Sequence, residues 1–495
     1  MLDLNAEIAS HDSELKRADA SVDAMASSLC DHWYPMYHIA ARAGWINDPN
    51  GLAFHNGRYH VFFQHHPYGT QWGPMHWGHI SSDDLAHWDR EPIALAPSIE
   101  ADRDGCWSGS CVVGDDGRLY AFYTGNRWVN DPSVTRDHLQ VQCAAVSRDG
   151  THFAKLGVVV PNREGLGNFR DPKVWRQGDV WCMIVGQQSP RNRGQIALYT
   201  SSDLLSWDYS GILYQSPDPC VRMLECPDLF FMDGRWVLCF SAMGMKPKGY
   251  MARNYNNAGY VVGSWELGRP FEPLTDFRPL DWGHTYYAPQ SFATPDGRRV
   301  MFGWMSDFSF DTPTMEDGWC GQLTLPRELT LRDDNILLSN PAREISCLFD
   351  VATEFGRVDL GTDQELQVVP DLRCGVIDLT YDLESTTAER TGLKIHQTSN
   401  GCHLFVAYDV QTSCVVADMR CSELGTRGYR AVPVSGHTLR LRIYADKGSV
   451  EVFVNDGEAV LSELSFPGDG ACSLVLASES GTTAISDLSY AHECD

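Results

Sequence analysis

Five times in the first 300 residues a glycine turn opens an apolar, aromatic-rich run, at Gly57, Gly117, Gly178, Gly234 and Gly297, with intervals of 60, 61, 56 and 63 residues. A chain with that period and strand-like content has few folds open to it. The spacing predicts a β-propeller, in which four short antiparallel strands form each blade around an axis, and five repeats predict five blades. A second element, Ser82-Asp83-Asp84-Leu85-Ala86-His87-Trp88, returns as the run from Ser147 to Phe153 and again from Ser202 to Trp207. It reads as the turn and late strand of a blade, its Trp or Phe packed between blades.

The phase of the repeat is the functional signal. Asp48, Ser108 and Glu225 each lie nine residues before their glycine, and Asp171 lies seven before its own. If the strand carrying these residues is innermost in each blade, three carboxylates and a hydroxyl converge on one axial pocket.

A length of 495 residues suits two domains rather than one core. The division expected is an N-terminal helical segment over residues 1–32, a propeller over 33–340, and a linker with a β-sandwich over 341–495. Ile8, Leu15, Val22 and Leu29 recur every seven residues beside Leu4, His11, Ala18 and Met25, an amphipathic helix that either packs on the propeller or makes a dimer contact. Near the other end Leu439, Leu441 and Ile443 alternate with Arg440, Arg442 and Tyr444, and Val450, Val452 and Val454 with Glu451 and Phe453. Such period-two runs predict an antiparallel sandwich that covers the propeller's flank.

A net charge of −26 would repel nucleic acid and anionic membranes, so neither is expected as a partner. No apolar stretch reaches the length of a transmembrane helix, and no basic-then-apolar N-terminal pattern marks a secretory signal. The 16 cysteines are scattered singly, without paired spacings. A cytoplasmic protein with reduced thiols is the expectation. His65, His66, His76 and His79 are clustered, but in a Gly- and Trp-rich stretch without the context of a zinc site, and no metal is expected.

Three motifs carry the chemistry. In Trp45-Ile46-Asn47-Asp48-Pro49-Asn50-Gly51 the proline biases Asp48 toward an extended conformation, holding the carboxylate at the start of a strand as a nucleophile requires. In Arg170-Asp171-Pro172 the guanidinium is placed to keep Asp171 ionised. The third is Glu225-Cys226-Pro227-Asp228. Two carboxyl groups of unlike environment are the minimum for glycoside hydrolysis. The aromatics Trp72, Trp77, Trp107, Tyr287 and Trp304 near the repeat junctions suit the C–H faces of a sugar.

These motifs resemble the three signature segments of glycoside hydrolase family 32, the invertase or β-fructofuranosidase family. Further likeness runs through Trp72 to His79, Trp107-Ser108-Gly109-Ser110, Tyr287-Ala288-Pro289-Gln290, Gly303-Trp304-Met305, Leu325 to Leu329 and Ser449 to Gly457. The resemblance implies a five-bladed propeller followed by a β-sandwich, acting as a retaining β-fructofuranosidase on sucrose or short β-fructans without a cofactor. It implies Asp48 as nucleophile, Glu225 as general acid/base, and Asp171 as transition-state stabiliser. Asn47, Gln64, Trp72, Trp107, Ser108, Arg170, Tyr287 and Trp304 would line the fructose subsite.

Two positions depart from the family pattern. Trp107 stands where many members have Phe, and Thr285-Tyr286 where many have Asp-Phe. The alternatives are a sucrose-6-phosphate hydrolase, an inverting arabinanase-like enzyme, or a sugar-binding propeller without activity. A neutral fructoside is favoured over a phosphorylated one, because beyond Arg170 only scattered cations such as Arg127, Lys246 and Lys248 lie near the pocket segments. The expected partner is a small sugar, and the chain is expected as monomer or homodimer.

Overall fold

The computed structural model describes residues 4–130, 137–162, 164–309, 311–424 and 427–494. Apart from the helix Leu4–Ala26 and three short 3-10 turns, the regular structure of the described residues is β. Among them, no helix is long and apolar enough to cross a membrane.

Five sheets follow one another between Gly44 and Pro341, built, apart from one late strand added to the first, of strands that pair antiparallel in chain order. Their first strands are Gly44–His55, Cys106–Val113, Phe169–Gln177, Met223–Met232 and Tyr287–Ala293. The recurring glycines sit in the hairpin turns that follow these strands. Gly57, Gly117, Gly178, Gly234 and Gly297 all have φ between 59° and 85°, a region closed to most side chains, which is why glycine recurs there. First strands of successive sheets contact one another, and that of the fifth contacts that of the first. The short strand Trp319–Cys320, reached after two strands of the fifth sheet, pairs parallel to Gly44 and Trp45 of the first.

The second repeated element is a turn between the third and fourth strands. Ser82 Oγ and the Asp84 carboxylate accept the turn's N–H groups, as do Ser147 with Asp149 and Ser201 with Asp203. The equivalent serine in the third copy is thus Ser201, one residue earlier than the sequence alignment set it. The aromatic closing each copy packs on the neighbouring sheet, with ring centroids 5.9 Å apart for Trp88 and Phe302, 5.6 Å for Phe153 and Phe62, and 5.7 Å for Trp207 and Phe122.

Two further sheets, between Thr353 and Ala491, enclose a second apolar core that includes Leu439, Leu441, Ile443, Val450, Val452 and Val454. The alternation fails on one face. Tyr444, Glu451 and Phe453, read as outward-facing, are buried, because that face meets the linker and the fifth sheet. There Arg327 donates to Asp281 (3.0 Å) and to both Glu451 and Ser462, while His38 bridges Asp446 (2.8 Å) and Glu451 (3.0 Å). The N-terminal helix packs on the first sheet's flank through buried His11 and Ala18, with His11 Nε2 accepting the Ala96 N–H at 3.2 Å.

Candidate active site

Every first strand carries a β-bulge near its N-terminal end. The ladder skips between Ile46 and Pro49, Trp107 and Gly109, Arg170 and Lys173, Glu225 and Asp228, and Tyr287 and Gln290. A bulge re-aims side chains, and these five turn theirs toward one cavity. The strain is visible in the backbone, since Asp171, Cys226 and Ala288 have φ of 69°, 47° and 50° although none is glycine. Asp48 therefore lies within its strand at the bulge, not at the strand's start.

The bulges also reset the phase read from the glycines. Aligned on the buried polar residues Asn50, Ser110, Lys173, Asp228 and Gln290 beyond the bulges, Asp48, Ser108, Asp171, Cys226 and Ala288 are equivalent. Glu225 falls one place earlier, with Asn47, Trp107, Arg170 and Tyr287. A second bulge in the first strand, between Asn50 and Ala53, and a longer hairpin in the second sheet hid that offset.

The cavity measures about 630 Å³. Asn47, Asp48, Gln64, Trp72, Trp107, Ser108, Arg170, Asp171, Glu225 and Tyr287 all line it. Trp304 does not. It is fully buried one layer back, its ring centroid 5.8 Å from that of Trp45 and 4.8 Å from that of Phe308. Its strand partner Tyr287 takes the place at the wall. Thr285 and Tyr286 stay outside, bonded to Ser462 O and stacked on Arg327 respectively.

The floor is a connected set of acids. Asp48 accepts from Ser108 Oγ (2.5 Å) and Asn47 Nδ2 (2.9 Å), and Trp45 Nε1 in turn orients Asn47 (2.8 Å). The Cys226 thiol lies 3.5 Å from Asp48 Oδ2 and 3.6 Å from Asp171 Oδ2, and its N–H donates to Asp171 at 2.9 Å. Arg170 reaches Glu225 rather than Asp171. Its Nε and Nη2 donate to Glu225 Oε1 at 3.0 and 2.6 Å, and Tyr287 OH donates to Oε2. Arg170 acts on Asp171 through its charge, as the motif suggested, but its hydrogen bonds go to Glu225. Burial holds Asp171 well above the usual carboxylate range, against the pull of Arg170 and with repulsion from Glu225 and Asp48 adding to it. Burial raises Asp48 too, opposed by its bonds to Ser108 and Asn47.

Sequence reading missed part of the wall. Trp128 and His138 stack at 5.4 Å and meet Trp107 edge-on, while Tyr255 and Phe308 stand at the cavity's rim. None lies on a first strand, so the repeat carried no signal for them. Among the described residues Arg170 is the only lysine or arginine lining the cavity. Lys246 and Lys248 are exposed elsewhere, and Arg127 pairs with Glu100. The clustered histidines bond mainly to backbone: His65 to Trp45 O, His66 to Gln71 O and His76 to Pro74 O, with His79 meeting His60.

Residues 38–341 match the glycosyl hydrolases family 32 N-terminal domain and residues 349–492 the family 32 C-terminal domain. The chain belongs to glycoside hydrolase family 32. It is 43% identical over 436 residues to a sucrose-6-phosphate hydrolase of Escherichia coli, covering 88% of this chain and 90% of that protein. A raffinose invertase of Escherichia coli is 39% identical, with 96% and 98% covered. The solved Bombyx mori GH32 beta-fructofuranosidase BmSUC1 superposes with a TM-score of 0.85 at 30% identity, over 97% of this chain and 98% of that one.

Proposed function

We propose that this chain is a retaining β-fructofuranosidase that hydrolyses sucrose or short β-fructans. Its catalytic domain, residues 33–340, is read as a five-bladed propeller on the support of five sheets whose first strands contact one another in a ring. Residues 341–495 form the linker and sandwich, and residues 1–32 the helical segment. The observation that carries the reading is the convergence of Asp48, Asp171 and Glu225 on one cavity floor, tied through Cys226 and Arg170.

In this reading Glu225 protonates the glycosidic oxygen and Asp48, aimed by Asn47 and Ser108, attacks the anomeric carbon of fructose. Water then releases the sugar with Glu225 as base. Asp171 receives hydroxyls of the fructosyl ring and adds negative charge beside the oxocarbenium-like transition state. Product NMR should show the first-formed fructose with retained anomeric configuration. An inverted anomer overturns the double displacement.

A neutral substrate is supported by the cavity wall, where the one guanidinium among the described residues is already engaged by Glu225. The likeness to a sucrose-6-phosphate hydrolase favours a second reading, with phosphorylated sucrose as substrate. The ratio of kcat/KM for sucrose 6-phosphate to that for sucrose decides between them. A ratio well below one is expected, and one above about ten establishes the second reading, because a properly built phosphate site is worth at least that factor.

A further inference from the structure

Beneath the catalytic floor lies a second tier of polar side chains. Two residues beyond Asp48, Ser108, Asp171, Cys226 and Ala288 stand Asn50, Ser110, Lys173, Asp228 and Gln290, one from each first strand, and all are buried. At positions that face the middle of a β-structure, apolar residues would be the ordinary choice. A buried lysine among them needs partners, since an unpaired ammonium out of water is costly.

Lys173 has three. Its Nζ donates to Ser291 O (2.5 Å) and Gln290 Oε1 (3.1 Å) on the fifth sheet, and lies 3.3 Å from Asp228 Oδ1 on the fourth. Asp228 Oδ2 in turn accepts from Ser291 N and Oγ at 2.7 and 2.6 Å. Gln290, its oxygen held by Lys173, points its Nε2 at Cys226 O, 3.2 Å away. Cys226 is the residue at φ 47° directly after Glu225, and its own N–H is held by Asp171. Both peptide groups flanking its Cα are therefore pinned, one from the catalytic tier and one from the tier below. Pinning both keeps a non-glycine residue in a conformation it rarely adopts, and that conformation sets the direction in which Glu225 leaves the strand.

We infer that Lys173 and Gln290 are positioning residues, a clamp across the third, fourth and fifth sheets that fixes the Cys226 backbone and through it the aim of Glu225 at the substrate. The inference rests on the reading of Glu225 and Asp171 as hydrolytic groups. It assigns the clamp no contact with the sugar. Loss of the clamp should consequently disturb the chemical step more than ground-state binding, because a small misplacement of a catalytic group costs rate.

The test uses the full-length chain as Lys173→Met, Gln290→Leu and the double variant. Each single variant should lower kcat on sucrose about 100-fold while KM moves by less than about threefold. The double variant should lose little more than the worse single one, because both act through the same carbonyl. A purely structural role would lower the melting temperature of all three, leave kcat per folded molecule near wild type, and overturn the proposal. Losses that multiply in the double variant overturn it as well. If Lys173→Met does not fold, Gln290→Leu decides alone, since it leaves Lys173 its bonds to Asp228 and Ser291. Crystal structures separate failure of the clamp from failure of the enzymatic reading. In Gln290→Leu the Cys226 carbonyl and the Glu225 carboxylate should shift by about 1 Å, on the scale that costs a catalytic group its rate. An unmoved Glu225 overturns the clamp whatever the enzyme hydrolyses. A wild-type protein inactive on fructosides beside a displaced Glu225 overturns the reading and leaves the clamp standing.

Discussion

Two buried clusters of acids, one on the cavity floor and one where the sandwich meets the fifth sheet, are built on opposite plans. At the junction Asp281, Asp446 and Glu451 face Arg327 and His38, and Glu463 faces His284 at 2.7 Å. Burial would raise Asp446, but its bonds to His38 and to backbone N–H groups bring it to about 2. Glu451 is lowered against burial by Arg327 and His38. On the floor Arg170, the only lysine or arginine among the described lining residues, pairs with Glu225, and burial holds Asp48 and Asp171 high. Each junction acid has a basic partner, with Asp281 alone raised, to about 6, by burial against the pull of Arg327, whereas the described lining of the floor is short of cations. A site short of positive charge destabilises the resting protein and favours a reaction whose transition state is itself positive. Matched charge does the reverse, joining two cores while offering nothing to a substrate.

Removing a floor carboxylate should break this contrast most sharply. Asp48→Asn is expected to lower kcat by roughly four orders of magnitude, as loss of a nucleophile does elsewhere, with an unchanged or higher melting temperature. Steady-state hydrolysis of sucrose beside a thermal melt checks it. A variant retaining more than about a tenth of the activity removes Asp48 from the mechanism.

At the junction the same operation should act on stability alone. Arg327→Met leaves Asp281 and Glu451 buried without their shared cation, and breaking such a pair by one partner costs about 3–5 kcal/mol. Urea unfolding should register that loss, and activity per folded molecule should stay near wild type. A large fall in kcat at full folding would mean that the junction reaches into the site.

How much of this was legible depended on which backbone feature carried each residue. The glycine repeat showed through because a hairpin turn at positive φ excludes most side chains, so Gly57 and its equivalents recur at their own spacing. The motif residues Asp48, Asp171 and Glu225 were found for the same reason, since each sits just before a proline or one residue further back. The bulges were not legible. They add residues to a strand without a composition of their own, so Glu225 was placed in register with Asp48 and Asp171 when it aligns with Arg170. That shift is also why Arg170 reaches across to Glu225. Trp304 failed differently, because a tryptophan behind a pocket wall and one on it look alike in sequence, and strand pairing with Tyr287 chose between them. Trp128 and His138 lie on strands that carry no repeated chemistry, and only the fold brings them to the rim.

A smaller effect follows from the charge state of His38. Burial alone would lower it, yet its bonds to Asp446 and Glu451 raise it from 6.5 to about 9. A histidine raised on folding contributes stability in full below its unfolded value and loses it as pH rises through the folded one. The junction should therefore weaken between pH 6.5 and about 9, by on the order of 3 kcal/mol at most. Melting temperatures of the wild type and His38→Gln should converge across that window. A gap that stays constant with pH would show that His38 is neutral in the folded protein.

The smallest expected effect sharpens the contrast from the other side. Asp171 is raised on folding by burial despite the pull of Arg170, so its carboxylate works against the fold wherever the unfolded chain would ionise it. The sign follows from linkage. The penalty is absent below the usual carboxylate range, grows as pH rises toward the raised folded value, and is complete above it. Asp171→Asn keeps the shape, retains an oxygen to accept the Cys226 N–H, and removes the charge. It should stabilise the protein by roughly 1 kcal/mol at pH 7.5, the gain common when an active-site strain is relieved, and the gain should vanish near pH 4. The same variant should hydrolyse sucrose far more slowly. Thermal melts of both proteins at the two pH values carry the test. If the variant is less stable than wild type at pH 7.5, the floor is matched in charge after all, and its difference from the junction is one of geometry alone.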